Sequence, residues 1–338
     1  MWHAGRAVKL TKYFERAVTV VALALCFFES QTAAAQPFAS DPSFGTANGR
    51  VTLSPFEEVY SSSPHALALL PDGRIVIGGN CSQPHTAMCF IRLLPSGAPD
   101  PEFGNNGRVI AVNDDISTLN AIAVQSDGKL VASGLCYPTN TSPSQGCVRR
   151  YLINGDVDSQ FGNNGRVNIS ITAFAPGALK PFLRGRLSIT GDGKIILSGI
   201  CDGPSDNDYL CVVRLLPSGA QDTSFGAQGS AAVTAFPGVY IAMSGTAVVQ
   251  PDGYVVVAGD CGLPVSLAIV PCLTRLTDSG AVDTSFGSSG YRVLSTPLPV
   301  GPNDFTTVRD LALRPDGGII LLTTFGNSLG KEIGRAHV

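Results

Sequence analysis

Gln250-Pro251-Asp252-Gly253-Tyr254-Val255-Val256-Val257-Ala258-Gly259 and, further along, Asp283-Thr284-Ser285-Phe286-Gly287 decide how this chain folds. The first stretch is a turn feeding an apolar strand: Pro presets φ, Asp can hydrogen-bond its own backbone, and Gly accepts positive φ. Both stretches recur. The x-Asp-Gly turn returns at Asp72, Asp127, Asp192, Asp252 and Asp316. Asp-x-x-Phe-Gly returns at Asp41/Phe44, Asp100/Phe103, Asp158/Phe161, Asp222/Phe225 and Asp283/Phe286, with successive phenylalanines 59, 58, 64 and 61 residues apart. A period of this length marks stacked supersecondary units.

Each unit reads as four short strands. Strand a follows the Phe-Gly motif, as in Arg50–Leu53 or Arg166–Ile169. Strand b is His65 to Leu70, strand c Arg74 to Gly79, and strand d Cys89 to Leu94, ended by Pro95-Ser96-Gly97. Runs such as Ile195-Ile196-Leu197 lack alternation, which predicts strands covered on both faces. No convincing helical period follows the first 35 residues. Four antiparallel strands per ~60 residues with both faces buried is what a β-propeller blade requires, and each blade needs its neighbours to bury those faces. A β-solenoid, the rival, has shorter rungs and no repeated hairpin turns. The expected fold is therefore an all-β propeller over 36–332, with copies at roughly 49–97, 107–155, 165–219, 229–280 and 290–325, the last incomplete.

In an a-b-c-d meander the b–c and d–a turns emerge on one face, both nearly invariant in length. Variation falls on the opposite face, in the a–b connectors and c–d loops. Binding usually sits on variable loops carried by a rigid scaffold. Each motif Phe is expected to fill the gap between blades. Arg92, Arg150, Arg214 and Arg275 each precede a motif Asp (Asp100, Asp158, Asp222, Asp283) by eight residues. A ring of guanidinium groups suits an anion, but spacing constant across copies tracks architecture, so a structural pairing with the Asp or with turn carbonyls is expected, on a strand d at the blade's outer edge.

Compartment is written at the start of the chain. Arg6, Lys9, Lys12 and Arg16 precede an apolar run from Ala17 to Phe28, then Ala33-Ala34-Ala35. This is a secretory signal over 1–35, its run shorter than the ~20 residues of a spanning helix, and no later segment is apolar enough to span. Removing it takes Cys26 and leaves Cys81, Cys89, Cys136, Cys147, Cys201, Cys211, Cys261 and Cys272. An even count in an exported chain favours disulfides, and local spacing pairs Cys81–Cys89, Cys136–Cys147, Cys201–Cys211 and Cys261–Cys272. The chain is expected to be secreted, periplasmic or on the cell surface. At the other end, 333–338 read as one frame of a common sequencing adapter.

Composition excludes several classes. With 44% apolar residues and a net charge of −3 the chain can bury a core, and an acidic balance disfavours nucleic acid. Beyond the leader and the tail only His65 and His85 remain, thin material for a Ser-His-Asp or metal-His enzyme. Asp202, Asp206 and Asp208 offer clustered oxygens of the kind calcium takes, but their spacing matches no loop signature and a solvated acidic loop is the expected reading. No cofactor is expected. Asn80, Asn140 and Asn168 begin Asn-x-Ser sequons, which matter little if the source is bacterial.

The Asp-x-x-Phe-Gly-x-x-Gly motif, Pro-Asp-Gly-(Arg/Lys)-Ile-(Val/Ile), and Arg-Leu before the next copy resemble the delta-60 repeat family over roughly residues 41 to 325. The third copy departs, with Gly191-Asp192-Gly193 where Pro is usual. The resemblance implies an exported bacterial propeller-like protein and no catalytic residues. Two functions stay open: a non-catalytic module binding a protein, glycan or small molecule, or a propeller hydrolase or lyase with a metal or carboxylate site at the central channel.

Overall fold

The computed structural model describes residues 40–45, 49–53, 61–83, 85–111, 116–137, 145–169, 181–182, 185–202, 208–233, 240–264, 268–294, 305–326 and 332–337. The leader, most a–b connectors and most c–d loops lie outside these. Every regular element described is a β-strand, and the sheets form a β-propeller. Blade 1 is β1 (Ser61–Leu69), β2 (Ile75–Gln83), β3 (His85–Leu93) and β4 (Arg108–Ile110), in that order. Blade 2 is β5 (Ile116–Val124), β6 (Leu130–Tyr137), β7 (Gln145–Tyr151) and β8 (Arg166–Asn168). In blade 3 the inner strand is broken into β9 (Pro181–Phe182) and β10 (Leu187–Ile189), both on β11 (Ile195–Asp202), followed by β12 (Asp208–Leu215) and β13 (Ser230–Val233). Blade 4 is β14 (Tyr240–Val249), β15 (Val255–Gly262), β16 (Ile269–Leu276) and β17 (Tyr291–Val293). A last sheet holds β18 (Phe305–Leu313), β19 (Ile319–Gly326) and β20 (Glu332–His337).

This pairing corrects the phase of the sequence reading. Strand a does not pair with strand b of its own copy. It pairs with strand d of the copy before, as β4 does with β3 and β8 with β7. Strand d is therefore third in its blade, not the outer edge. The cause is the connection itself. Asp100 N–H donates to Arg92 O at 2.9 Å and Arg92 N–H to Gly107 O at 2.8 Å, so the chain folds straight back along strand d before crossing to the next blade. Strand a of the first copy, 50–53, is in no named strand. Its motif packs on blade 1, where Gly45 N–H donates to Ser96 O at 2.7 Å. Glu332–His337 pairs with β19 as the third strand of the last sheet, in the copy that the sequence reading expects to be incomplete.

The motif's residue types follow from that reversal. The Asp Oδ1 accepts the N–H two residues on, at 3.0 Å from Glu102 and 3.1 Å from Gln160 and Ser224. Gly104 has φ 53° and Gly162 has φ 54°. A Cβ on Gly104 would lie 2.2 Å from Arg108 O, so the Gly after Phe is obligatory in this turn. The Asp Oδ2 then accepts from the arginine eight residues before: Arg92 Nε at 2.7 Å, Arg150 and Arg214 Nε at 2.8 Å, Arg275 Nε at 2.6 Å. Each guanidinium stacks on its motif ring, 4.6 Å from Phe103, 4.5 Å from Phe161, 4.6 Å from Phe225 and 5.1 Å from Phe286. Three reach into the next blade: Arg92 Nη1 donates to Ile153 O, Arg150 Nη1 to Pro217 O at 2.6 Å and Arg214 Nη1 to Asp278 O at 2.6 Å. The residue after x-Asp-Gly supplies a second cation, with Lys129 Nζ 3.3 Å from Asp158 and Lys194 Nζ 3.3 Å from Asp222.

Burial is built between blades. Phe103 packs with Phe90 of blade 1 and with Leu119, Ile122 and Tyr151 of blade 2. Phe161 and Phe225 occupy the matching places in the next two interfaces. All eight residues of β15 are buried, as a strand covered on both faces should be. Blade 1 differs on the side facing away from blade 2. Leu67 and Leu69 there are 48% and 40% exposed, whereas Ile122, Leu187, Ala247 and Leu311, at the position of Leu67, are 8%, 4%, 1% and 0% exposed.

Four disulfides join strands two and three of their blades: Cys81–Cys89, Cys136–Cys147, Cys201–Cys211 and Cys261–Cys272, with Cα–Cα distances of 5.8–5.9 Å. The second cysteine of each pair sits opposite a glycine, Gly79, Gly134, Gly199 or Gly259. A Cβ on Gly134 would lie 1.7 Å from Thr118 O of the inner strand, so that position has no room for a side chain.

Three outcomes are expected. Alkylation of the unreduced mature protein followed by mass analysis should find no free thiol, and Cys261→Ser with Cys272→Ser should cost about 2.5–3 kcal/mol by the chain-entropy account of loop closure. Arg214→Ala strands a buried carboxylate, since Arg214 and Asp222 side chains are 4% and 7% exposed. It should lose about 3–5 kcal/mol in chemical denaturation, and a loss under about 1 kcal/mol, the level of a surface pair, would show the arginine to be idle. The third outcome concerns acid. Burial raises the Asp222 carboxyl, but the Ser224 hydroxyl and N–H, Arg214 and Lys194 outweigh it and hold the pKa at about 2. Asp100 and Asp158 are lowered the same way against their burial, by the N–H of Glu102 and Gln160 and by Arg92 and Arg150 with Lys129. An unfolded Asp titrates near ~3.9. The stabilisation from these groups is thus complete above that value and disappears as pH falls through the folded values. Unfolding followed by circular dichroism should set in below about pH 4, and Asp222→Asn should flatten that dependence.

Candidate functional site: the axial cavity

The inner strands of all the sheets converge on one cavity of about 780 Å³. Its position follows from a shared irregularity. Inner strands break register between Pro64 and Ala66 in β1, Leu119 and Ala121 in β5, Met243 and Gly245 in β14, and Val308 and Asp310 in β18. Blade 3 interrupts its inner strand at the corresponding level, where Gly185 N–H donates to Ser198 O at 3.0 Å. A bulge re-aims side chains and leaves ladder groups unpaired. Two of the freed N–H groups are taken by the preceding blade: Leu119 N–H donates to Asn80 Oδ1 at 2.6 Å, and Val308 N–H to Asp260 Oδ1 at 2.7 Å. Asp260 is fully buried, so this carboxylate works inside the blade interface.

The cavity wall is polar where the strands bulge. His65, Asn120, Arg186, Thr246, Arg309 and Asp310 contribute to it. Arg186 spans from blade 3 to the last sheet, its Nη1 3.3 Å from Asp310 Oδ1 and donating to Leu311 O. Asp310 Oδ1 also accepts Leu311 N–H at 2.8 Å, and Arg309 Nε donates to Thr324 Oγ1 at 3.1 Å. Close backbone contact makes this crossing possible. A Cβ on Gly185 would lie 2.0 Å from Gly245 O, and one on Gly245 2.5 Å from Gly199 O.

The residues singled out from sequence lie elsewhere. Arg92, Arg150 and Arg214 are 2–7% exposed, and the donors of all four repeat arginines go to the motif Asp and neighbouring groups rather than to an open ring. Asp202 and Asp208 are backbone register partners in the β11–β12 hairpin, Asp206 lies outside the described residues, and no group of three or more metal-ligating side chains occurs among those described. His65 is on the cavity wall. Asn120, Arg186, Arg309 and Asp310 carried no motif and were missed. The signal that finds them is departure from the repeat. After the bulge the inner strands agree, as in Leu67-Ala68-Leu69, Ile122-Ala123-Val124 and Leu311-Ala312-Leu313, and at the bulge itself they do not.

Segments 70–103, 125–161 and 190–225 match a family described as a beta-propeller domain of unknown function, DUF5122. No curated protein matches the chain. Among solved structures it is similar to a protein of unknown function from Dyadobacter fermentans (12% identity, TM-score 0.49, covering 83% of this chain and 79% of that one). It is also similar to the alpha-L-arabinanase of Penicillium chrysogenum complexed with arabinobiose (12%, 0.47, 81% and 80%). A third is the alpha-L-arabinofuranosidase Arb93A of Fusarium graminearum in complex with an iminosugar inhibitor (11%, 0.48, 83% and 86%).

Proposed function

We propose that this is an exported, non-catalytic binding protein of delta-60-type repeats that holds a small polar ligand in its axial cavity. The observation that carries the reading is the cavity itself. At about 780 Å³ it has the size of a small-molecule site, and it is polar at the one level where the inner strands abandon their common sequence. Export is supported by the basic, then apolar leader and by four disulfides. The absence of catalysis is supported by the wall chemistry. In most glycosidases, cleavage of the bond takes two carboxyl groups about 5–9.5 Å apart. Among the described residues lining the cavity Asp310 is the one carboxylate, and it is ion-paired to Arg186.

Thermal-shift measurements on the purified mature protein against monosaccharides, short oligosaccharides and organic acids test the proposal. A stabilising compound is expected whose effect is lost in Asn120→Leu and kept in Asp278→Ala, a substitution away from the cavity. Proton NMR of the stabilising compound with stoichiometric protein should show it unchanged after a day. Appearance of a cleaved or eliminated product would replace this reading with the hydrolase or lyase one.

A further inference from the structure

In a chain built of copies, whatever the architecture needs is held constant, and the places where copies part are those that architecture leaves free. Along the inner strands that place is the bulge: His65-Ala66, Asn120-Ala121, Gly185-Arg186, Gly245-Thr246 and Arg309-Asp310. What these positions gain over an apolar strand is mostly hydrogen-bond donors. There are two guanidiniums, an imidazole, a carboxamide and a hydroxyl, against one carboxylate, and that carboxylate sits 3.3 Å from Arg186.

We infer that the axial cavity is specific for a ligand bearing an anionic group, a carboxylate or sulfate on a sugar-sized polar molecule, held between Arg186 of blade 3 and Arg309 of the last sheet. This rests on the binding reading above and adds the ligand's chemical class. Three observations support it. First, Arg186 is held across the axis by Asp310 and by Leu311 O, so its position is set before any ligand arrives, which lowers the ordering cost of binding. Second, the Arg186 and Asp310 side chains remain 41% and 48% exposed. The pair is open to the cavity, and an exposed pair of this kind is weak enough to exchange partners. Third, a guanidinium presents paired N–H donors that match the two oxygens of a carboxylate or sulfate. Asp310 is itself such a group, and a ligand anion takes the place beside it or displaces it. His65 stands on the same wall, from blade 1.

Asp310 makes the inference testable in both directions. Glucuronate, glucose 6-sulfate and neutral glucose, titrated calorimetrically at low salt, form a matched series differing at one carbon. Both charged sugars, or one of them if the site distinguishes carboxylate from sulfate, are expected to bind and glucose not. Arg186→Ala and Arg309→Ala should each weaken binding about tenfold or more, the scale of a charge-assisted hydrogen bond. Asp310→Asn, which removes a competing charge while Leu311 O still holds Arg186, should tighten it several-fold. A gain of affinity is an outcome that a damaged fold does not produce. Added sodium chloride should weaken binding in wild type and leave the Arg186→Ala protein less affected. Glucose binding as tightly as glucuronate, with Asp310→Asn neutral, would overturn the anionic specificity while leaving a ligand-binding cavity in place. Failure of both charged sugars to bind wild type and Asp310→Asn alike would overturn the inference outright, and a neutral compound found by thermal shift would show that the binding reading survives it.

Discussion

One contact set recurs down the chain: an arginine on the third strand of a blade, lying flat on a phenylalanine, bonded through Nε to a carboxylate and through Nη1 to a carbonyl of the next blade. A four-stranded sheet of this size cannot bury its faces alone, so the fold rests on whatever fixes one sheet against the next. The arginine does this with fixed geometry. The Asp that receives it is already committed to the turn through its other oxygen, and the Phe beneath it is already in the interface core. Hydrogen bonds from Gly104 to Asn154 O, Gly162 to Ser218 O and Gly226 to Ser279 O repeat the link in the backbone, at 2.7–2.9 Å. Turn, ring and charge are one device, which is why the spacing between them hardly varies.

The same economy connects the disulfides to the axis. Strand two carries a glycine because the inner strand's backbone presses on it, as Thr118 O does on Gly134 and Ser63 O on Gly79. That pressure arises beside the bulge. Opposite the glycine, on strand three, stands the second cysteine, and its disulfide returns to strand two two positions beyond the glycine. Each staple therefore ties the hairpin just where the bulge has loosened the ladder. The bulge is also what turns the inner strand's polar residues onto the cavity wall. Stapling and site formation are two consequences of one irregularity.

Much of this was legible in the sequence, and what was not has a physical reason. Period, strand class and turn chemistry could be read because they depend on local propensity and on spacing within a copy. Phase could not. A periodic sequence says where strands fall but not which neighbour each one hydrogen-bonds, and only the reversal at Asp100–Gly107 decides that Arg108–Ile110 closes blade 1. The bulge was hidden because one extra residue at His65 or Asn120 merely shifts an alternation that was already weak. Asn80 drew notice only as a sequon, and its acceptance of Leu119 N–H belongs to a contact 39 residues away. The cavity residues were within reach, since subtracting the copies from one another leaves Arg186, Arg309 and Asp310 as remainders.

That subtraction also separates two kinds of arginine in one molecule. Arg92, Arg150 and Arg214 recur with their partners, are nearly inaccessible, and serve the stack. Arg186 and Arg309 have no counterpart at their positions in the other copies and stand on the cavity wall, where other blades carry alanine, threonine or asparagine. Arg186 links blade 3 to the last sheet through Asp310 and Leu311 O, whereas Ala66 and Ala121 stand at the matching positions of blades 1 and 2. The stack repeats its interface arginines, while the residues at its axis differ from copy to copy. Charge open to the cavity, at Arg186 and Arg309, is what the proposed anionic ligand would meet; the repeated arginines are engaged within the stack.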